Sequence, residues 1–430
     1  MSSGARRSRG AGWREQRRPY LGLRLAAILT TLSIALSACG LPGVSNEGQT
    51  GTITFGLTIP ITGERAAEGA YSRDGYQFYV NTVNRAGGIT VGGKHYRIAL
   101  DYYDDQSKPK LVAALYRRLV VHDKVNFLIG PYSSALTAAA APVAEEYRIP
   151  MVAPHGSARS IYVAGYKYVF GIVSPAENYL RGIVAVVLSQ HPRPKTLALL
   201  GEYEPFSREA IAGAAEYATS QGMKVTEQLY YFPQPTNVSQ QLLAIKRTNP
   251  DVLLASGHLQ DAILIARQAL DLCLAPKAIG FSIGPSLPAF RTTLGSEGDY
   301  MFGATQWTSD LRYRGDDQWG TPKSYAAAFR HAFPSYKQVP YQAAESTASL
   351  VTYQHALQSA GTLDPRAVRS ALAGLDIMTF YGRIRFDSMG VNVYKPMAVV
   401  QLQPDGNAYT VFPFDAATKR ALYPMRAPCP

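Results

Sequence analysis

Several kinds of chemistry are ruled out by what the sequence lacks. Only three cysteines occur in 430 residues, and neither they nor the seven histidines form a CxxC pair or a His/Cys cluster. A structural or catalytic metal site and a bound cofactor are therefore not expected. Basic runs are confined to the start. Residues 1–24 hold Arg6, Arg7, Arg9, Arg14, Arg17, Arg18 and Arg24 against one acid, Glu15, so half of the formal net charge of +12 sits there. What remains is a mildly basic surface with no Lys/Arg-rich run, which excludes a nucleic-acid footprint. The apolar run "LAAILTTLSIAL" (Leu25–Leu36) is too short for a mature spanning helix, which takes about 20 residues.

A Ser-His-acid arrangement is also missing. "GFSIG" (Gly280–Gly284) has the G-x-S-x-G spacing of a nucleophile elbow around Ser282. That reading needs a histidine further along the chain. Only His331 and His355 follow, in the helical stretches "FRHAF" and "YQHAL". Pro285 and Pro288 keep a helix from starting directly after Ser282. A secreted serine hydrolase is the weakest reading, and the chain is not expected to be an enzyme. The glycines flanking Ser282 are expected to let backbone approach a ligand.

What is present begins with the leader. A basic segment followed by a short apolar run reads as an export signal. It ends in "LSAC" before Gly40, which resembles the lipobox of bacterial lipoproteins. Residues 1–38 are expected to be a signal peptide, Cys39 the lipidated new N-terminus, and 39–51 a tether, because "GVSNEGQTGT" is polar and glycine-rich. The chain is thus expected outside the cytoplasm, held to a membrane by lipid. Cys273 and Cys429 remain in an oxidising compartment. A disulfide between them and two separate thiols are both compatible with the sequence.

Along the rest of the chain, apolar strands alternate with helical periods. "ITFGLTIPI", "YRIALDYYDD", "VNFLIG", "IPMVAP" and "YVFGIV" are separated by amphipathic stretches. The pattern repeats with "TLALLG", "KVTEQLYY", "DVLLAS" and "KAIGFSIG". Repeated βα alternation indicates doubly wound parallel sheets, here two Rossmann-like lobes. After Trp307 come three helices in series and then "GRIRFD" and "MAVVQLQ". Elements placed that late imply that the chain crosses between the lobes more than once. A cleft between such lobes is a natural ligand site.

In this order and spacing, "GLTIPITGERAAEG", "VNRAGGITVGG", "YYDDQSKP", "LIGPYSSALTAAAAPVAEE", "IPMVAP" and "TFYGRIRFD" resemble the substrate-binding lipoproteins of ABC importers, in the branched-chain amino acid (Leu/Ile/Val-type) family. The resemblance implies an α/β type I periplasmic-binding-protein fold with a three-crossing hinge. Its lobes are expected at 52–174 with 307–377 and at 175–306 with 378–425. It implies closure around a small carboxylate-bearing ligand, an amino acid first, and permease and ATPase subunits as partners. A sensor that signals without transport also fits.

The candidate site follows from the same resemblance. "GPYSSALTAAAA" puts Tyr132, Ser133 and Ser134 at a strand-to-helix junction. Free N–H groups and hydroxyls there make a carboxylate site; a plain N-cap is the bland alternative. His155 and Ser157 fall where the family contacts ligand main-chain groups. Glu68 falls near the ligand side chain, and Phe206 where an aromatic ring stacks. His258 and Trp307 complete the set. Ser282 falls near the acid that, in relatives, neutralises an α-ammonium. Three explanations stay open: Glu68, Glu202 or Glu204 supplies the charge, the count is off by a residue or two, or the ligand is a carboxylate or amide without an amine.

Overall fold

The computed structural model describes residues 51–427 and Cys429; the leader and Cys39 lie outside them. Strands and helices alternate through β1 (Gly51–Ile59), α1 (Ala66–Arg85), β2 (Ile89–Val91), β3 (Lys94–Asp104), α2 (Pro109–Val121), β4 (Phe127–Ile129), α3 (Ser134–Tyr147), β5 (Met151–Ala153) and β6 (Val169–Gly171). They build a six-stranded sheet in the order β2-β3-β1-β4-β5-β6, parallel except for the β2–β3 hairpin. Strands β4, β5 and β6 are buried throughout, as a parallel sheet covered on both faces requires.

The second unit follows with α4 (Arg181–Leu188), β7 (Thr196–Glu202), α5 (Pro205–Ser220), β8 (Lys224–Tyr231), α6 (Ser239–Thr248), β9 (Val252–Ser256), α7 (Leu259–Asp271), β10 (Ala278–Phe281), α8 (Pro288–Leu294) and β11 (Phe302–Thr305). Then come α9 (Pro322–Ala332), α10 (Tyr341–Ala360), α11 (Pro365–Ala373), the hairpin β12 (Asp376–Thr379) and β13 (Gly382–Arg385), and finally β14 (Ala398–Leu402) and β15 (Ala408–Phe412). The second sheet runs β15-β14-β11-β10-β9-β7-β8.

Local chemistry sets these elements. In α2, Val112, Tyr116 and Leu119 are the buried stripe at helical spacing. The Glu204 carboxylate accepts the N–H groups of Phe206 and Ser207 and so caps α5, with Pro205 in its first turn. Helix α10 differs from the others, being buried on nearly every side from Tyr341 to Tyr353. It packs against α1 at Gly75, where an added Cβ would come within 2.2 Å of the Ala343 carbonyl oxygen. Thr347 Oγ1 donates to the Gly75 carbonyl at 2.8 Å.

The chain crosses between the sheets three times: past Ser174, past Gln306, and between Val391, which bridges Gly171 of the first sheet, and Ala398, whose strand pairs with β11. The third crossing therefore falls later than residue 378. One cluster ties all three crossings. The Gln306 side chain accepts the Ser174 N–H at 3.0 Å and donates to the Ser174 carbonyl at 3.1 Å. The Lys395 ammonium donates to the Gln306 carbonyl. Far from this hinge, Cys273 at the end of α7 is disulfide-bonded to Cys429, which decides between the two states open in the sequence.

Candidate functional site

The first-lobe wall is built where β4 and β5 end. Ser133 is the N-cap residue of α3, but its side chain makes no capping bond, so the free N–H groups of that helix end keep their donor capacity. Ser134 Oγ accepts the N–H groups of Ser157 and Ala158, both at 3.1 Å. Those two bonds occupy the hydroxyl's lone pairs and leave its O–H to donate. Ser133 Oγ likewise accepts from Arg65 Nη1 at 2.7 Å. The wall therefore presents donors, which is what a carboxylate needs. Beside it, His155 Nδ1 lies 2.8 Å from Glu345 Oε2, and Nε2 lies 3.3 Å from Ser346 Oγ. Burial pushes His155 down to about 3 and Glu345 well above the usual carboxylate range. The pair is thus uncharged, with the shared proton on Glu345.

The second-lobe wall is mostly apolar. Phe206 meets Tyr179 edge-to-face at 4.8 Å and lies 5.8 Å from the His258 ring. Ile283, just past β10, completes it. The space between the walls leaves about 10 Å³ for the centre of a water molecule, room for one water. The cleft is shut, and admitting a ligand requires the lobes to part at the hinge.

The shut state is held by contacts across the cleft. Tyr132 Oη lies 3.0 Å from His258 Nδ1. Glu68 Oε1 accepts the Leu259 N–H at 3.1 Å. Arg65, 4 % exposed, brings its guanidinium to 3.6 Å from Glu202 and 3.4 Å from Glu64. Burial alone would lower the Arg65 pKa, but Glu202, Glu204 and Glu64 outweigh it and keep the group charged. Burial pushes Glu68 up to about 7 and Glu202 up to about 8. The His258 ring is driven well below its usual pKa by burial and by Arg65, so its 4.0 Å approach to Glu202 is not an ion pair. Glu202, Glu204 and His258 have donor atoms within 4.8 Å of one another, but Arg65 already supplies that group with a cation. An outer chamber of about 370 Å³ opens beyond, lined by Glu64, Arg65, His258 and Asp261.

Most of the residues singled out in the sequence meet here. Tyr132, Ser133, Ser134, His155, Ser157, Phe206 and His258 all line the inner cavity. Glu68 lies against the opposite lobe at the mouth. Besides Glu68, two more of them, Ser282 and Trp307, do not line the inner cavity. Ser282 is fully buried, with its hydroxyl 3.0 Å from Ser256 Oγ and 3.3 Å from the Gly257 carbonyl. It braces the end of β9 and has neither a basic partner nor a path to a substrate. Its glycines serve packing rather than ligand approach: a Cβ on Gly280 would meet Leu254 at 2.8 Å, and Gly284 turns the chain at φ +142°. Trp307 packs edge-to-face on Tyr325 and donates to the Phe380 carbonyl at 3.0 Å, so it is a hinge residue. The sequence reading missed Arg65, Tyr179, Ile283, Tyr341 and Glu345. The one available signal was Glu345, a lone acid in the otherwise uncharged "YQAAESTASL".

A model of the periplasmic binding protein family matches residues 52–407. The chain belongs to that family. It is 24% identical over 422 residues to the Leu/Ile/Val-binding protein homolog 8 of Brucella suis, covering 93% of this chain and 100% of that protein. It is 23% identical over 362 residues to the leucine-, isoleucine-, valine-, threonine-, and alanine-binding protein of Pseudomonas aeruginosa, covering 84% and 92%. Among solved structures it is similar to the leucine binding protein LivK of Thermotoga maritima, with a TM-score of 0.72, 19% identity and coverage of 84% and 97%. A solute binding protein of R. palustris in complex with benzoate gives 0.70, 18%, 84% and 95%. The architecture is that of the type I periplasmic binding proteins, two α/β lobes on a three-crossing hinge. The family is one of solute-binding proteins.

Proposed function

We propose that this chain is an extracytoplasmic solute-binding lipoprotein of an ABC importer. It captures a small carboxylate-bearing ligand between its lobes and hands it to a membrane permease driven by ATPase subunits. The observation that carries the reading is the wall of hydroxyl and N–H donors at Ser133, Ser134 and the α3 N-terminus, facing the rings of Tyr179 and Phe206 in a closed interlobe cavity. An amino acid is the favoured ligand, in line with what the leucine-binding relatives are named for. An aromatic acid without an amine is the second reading. It is favoured by the ring-lined second-lobe wall and by the fold shared with the benzoate complex.

A bound ligand raises apparent stability. A thermal-shift screen of amino acids and small aromatic and aliphatic acids is expected to find a carboxylate that raises the Tm of the protein. A screen in which none does so contradicts the reading. The anchor rests on Cys39: a Cys39→Ser protein is expected in the soluble fraction, and its retention in membranes argues against lipidation there.

A further inference from the structure

Among the described residues, Glu345 is the one carboxylate that lines the inner cavity, and it comes from an unexpected side. Ser282 offers no charge to a ligand, being buried with its hydroxyl spent on Ser256 and Gly257. The next residue, Ile283, reaches the cavity and is aliphatic. The second lobe's own acids are engaged elsewhere: Glu202 faces Arg65, and Glu204 caps α5. Neither lines the inner cavity.

We infer that Glu345, on the hinge helix α10, is the group that receives a ligand's ammonium, so that both ends of an amino acid are read by the first lobe. The carboxyl, protonated in the empty cleft, is already oriented for this. Oε2 is held by His155 at 2.8 Å and Oε1 by the Tyr381 hydroxyl at 3.3 Å. Each oxygen keeps a further acceptor direction. Lys395 is close enough to favour ionisation of Glu345, but it makes no direct ion pair with it: its ammonium donates to the Gln306 carbonyl and lies 4.2 Å from the centre of the Tyr381 ring. Glu345 is therefore a buried acid without a direct ion partner, 2 % exposed, and such a group is costly to ionise. An arriving ammonium supplies the missing counter-charge, and the carboxyl proton leaves to solvent. The same residue reaches the crossings through Tyr381, which also lies 3.4 Å from Gln306 Oε1, so the amine contact sits one bond away from the hinge knot.

This rests on the solute-binding reading, and a matched pair of probes separates the two. Leucine and 4-methylpentanoate differ in the amine alone. Calorimetry on the wild-type protein is expected to give leucine at least a 100-fold preference. Glu345→Gln keeps the shape and is expected to erase that preference, by weakening leucine about 100-fold and 4-methylpentanoate less than threefold. Glu345→Asp keeps the charge and is expected to keep the preference, which covers the case of a Gln variant that fails to fold. A preference that survives Glu345→Gln, or an equal loss for both probes, overturns the assignment. So does a wild-type protein that binds 4-methylpentanoate alone, which leaves solute binding standing. Binding of neither probe overturns both the assignment and the leucine-like ligand.

Discussion

The two faces of the cleft differ in kind. The first lobe presents hydroxyl donors from Ser133 and Ser134, the His155–Glu345 pair, and a helix N-terminus. The second presents the rings of Tyr179 and Phe206 with Ile283, and keeps Glu202, Glu204 and Asp261 at the rim. Directional groups need fixed geometry, and they sit on strand ends and on a helix terminus locked by further bonds. Apolar contacts tolerate small displacements, and they sit on the opposite lobe. On the proposed function, recognition and closure are divided between the lobes, with the ligand docking on the first and covered by the second.

The rim contacts belong to closure, and the largest effect is expected there. Arg65→Met removes the cation among Glu64, Glu202 and Glu204 and leaves buried acids without a partner. That is expected to cost about 3–5 kcal/mol, read as a drop in the midpoint of chemical denaturation. An unchanged midpoint would show that the rim does not hold the lobes.

Proton linkage gives the next test. Glu68 and Glu202 titrate near 7 and 8 in the folded protein, above their unfolded values, so they hold protons that the unfolded chain has released. Their contribution is complete below the unfolded carboxylate pKa and is lost as pH rises through about 7 to 8. His155 and His258 act in the opposite sense. Their folded pKa values are depressed, and stability is lost as pH falls below the ordinary histidine value. Stability is expected to decline from about pH 6.5 to pH 8, and Glu202→Gln is expected to flatten that decline. An identical slope in the variant would remove Glu202 from the account.

The smallest effect is expected at Ser282. Ser282→Ala loses bonds to Ser256 and Gly257 worth about 1 kcal/mol of stability and is expected to leave ligand affinity within a factor of two. A large loss of affinity would return Ser282 to the cleft.

These contrasts also mark what the sequence could carry. Strands such as "VNFLIG" and "DVLLAS" were legible because buried parallel strands are continuous apolar runs, and α2 because its stripe has helical spacing. The sheet-edge and hairpin strands β2, β12 and β15 were not, because each is three to five residues long and defined by its partner rather than its own pattern. The α3 junction was legible because a Gly-Pro exit followed by Ser-Ser and a run of alanines sets both the strand end and the helix start. Arg65 and Glu345 were not, because each depends on a partner, Glu202 and His155 respectively, more than 100 residues away in the chain. At Ser282 the count left an offset of a residue or two open, and one residue further along it is Ile283 that lines the cavity.

The measurement closest to the central claim is a calorimetric titration of leucine into the wild-type protein and into Ser134→Ala. If the first lobe reads the carboxylate, removing this donor costs about 1–3 kcal/mol of binding, or roughly 5- to 150-fold in Kd. Equal affinities in the two proteins would contradict the division of labour between the lobes.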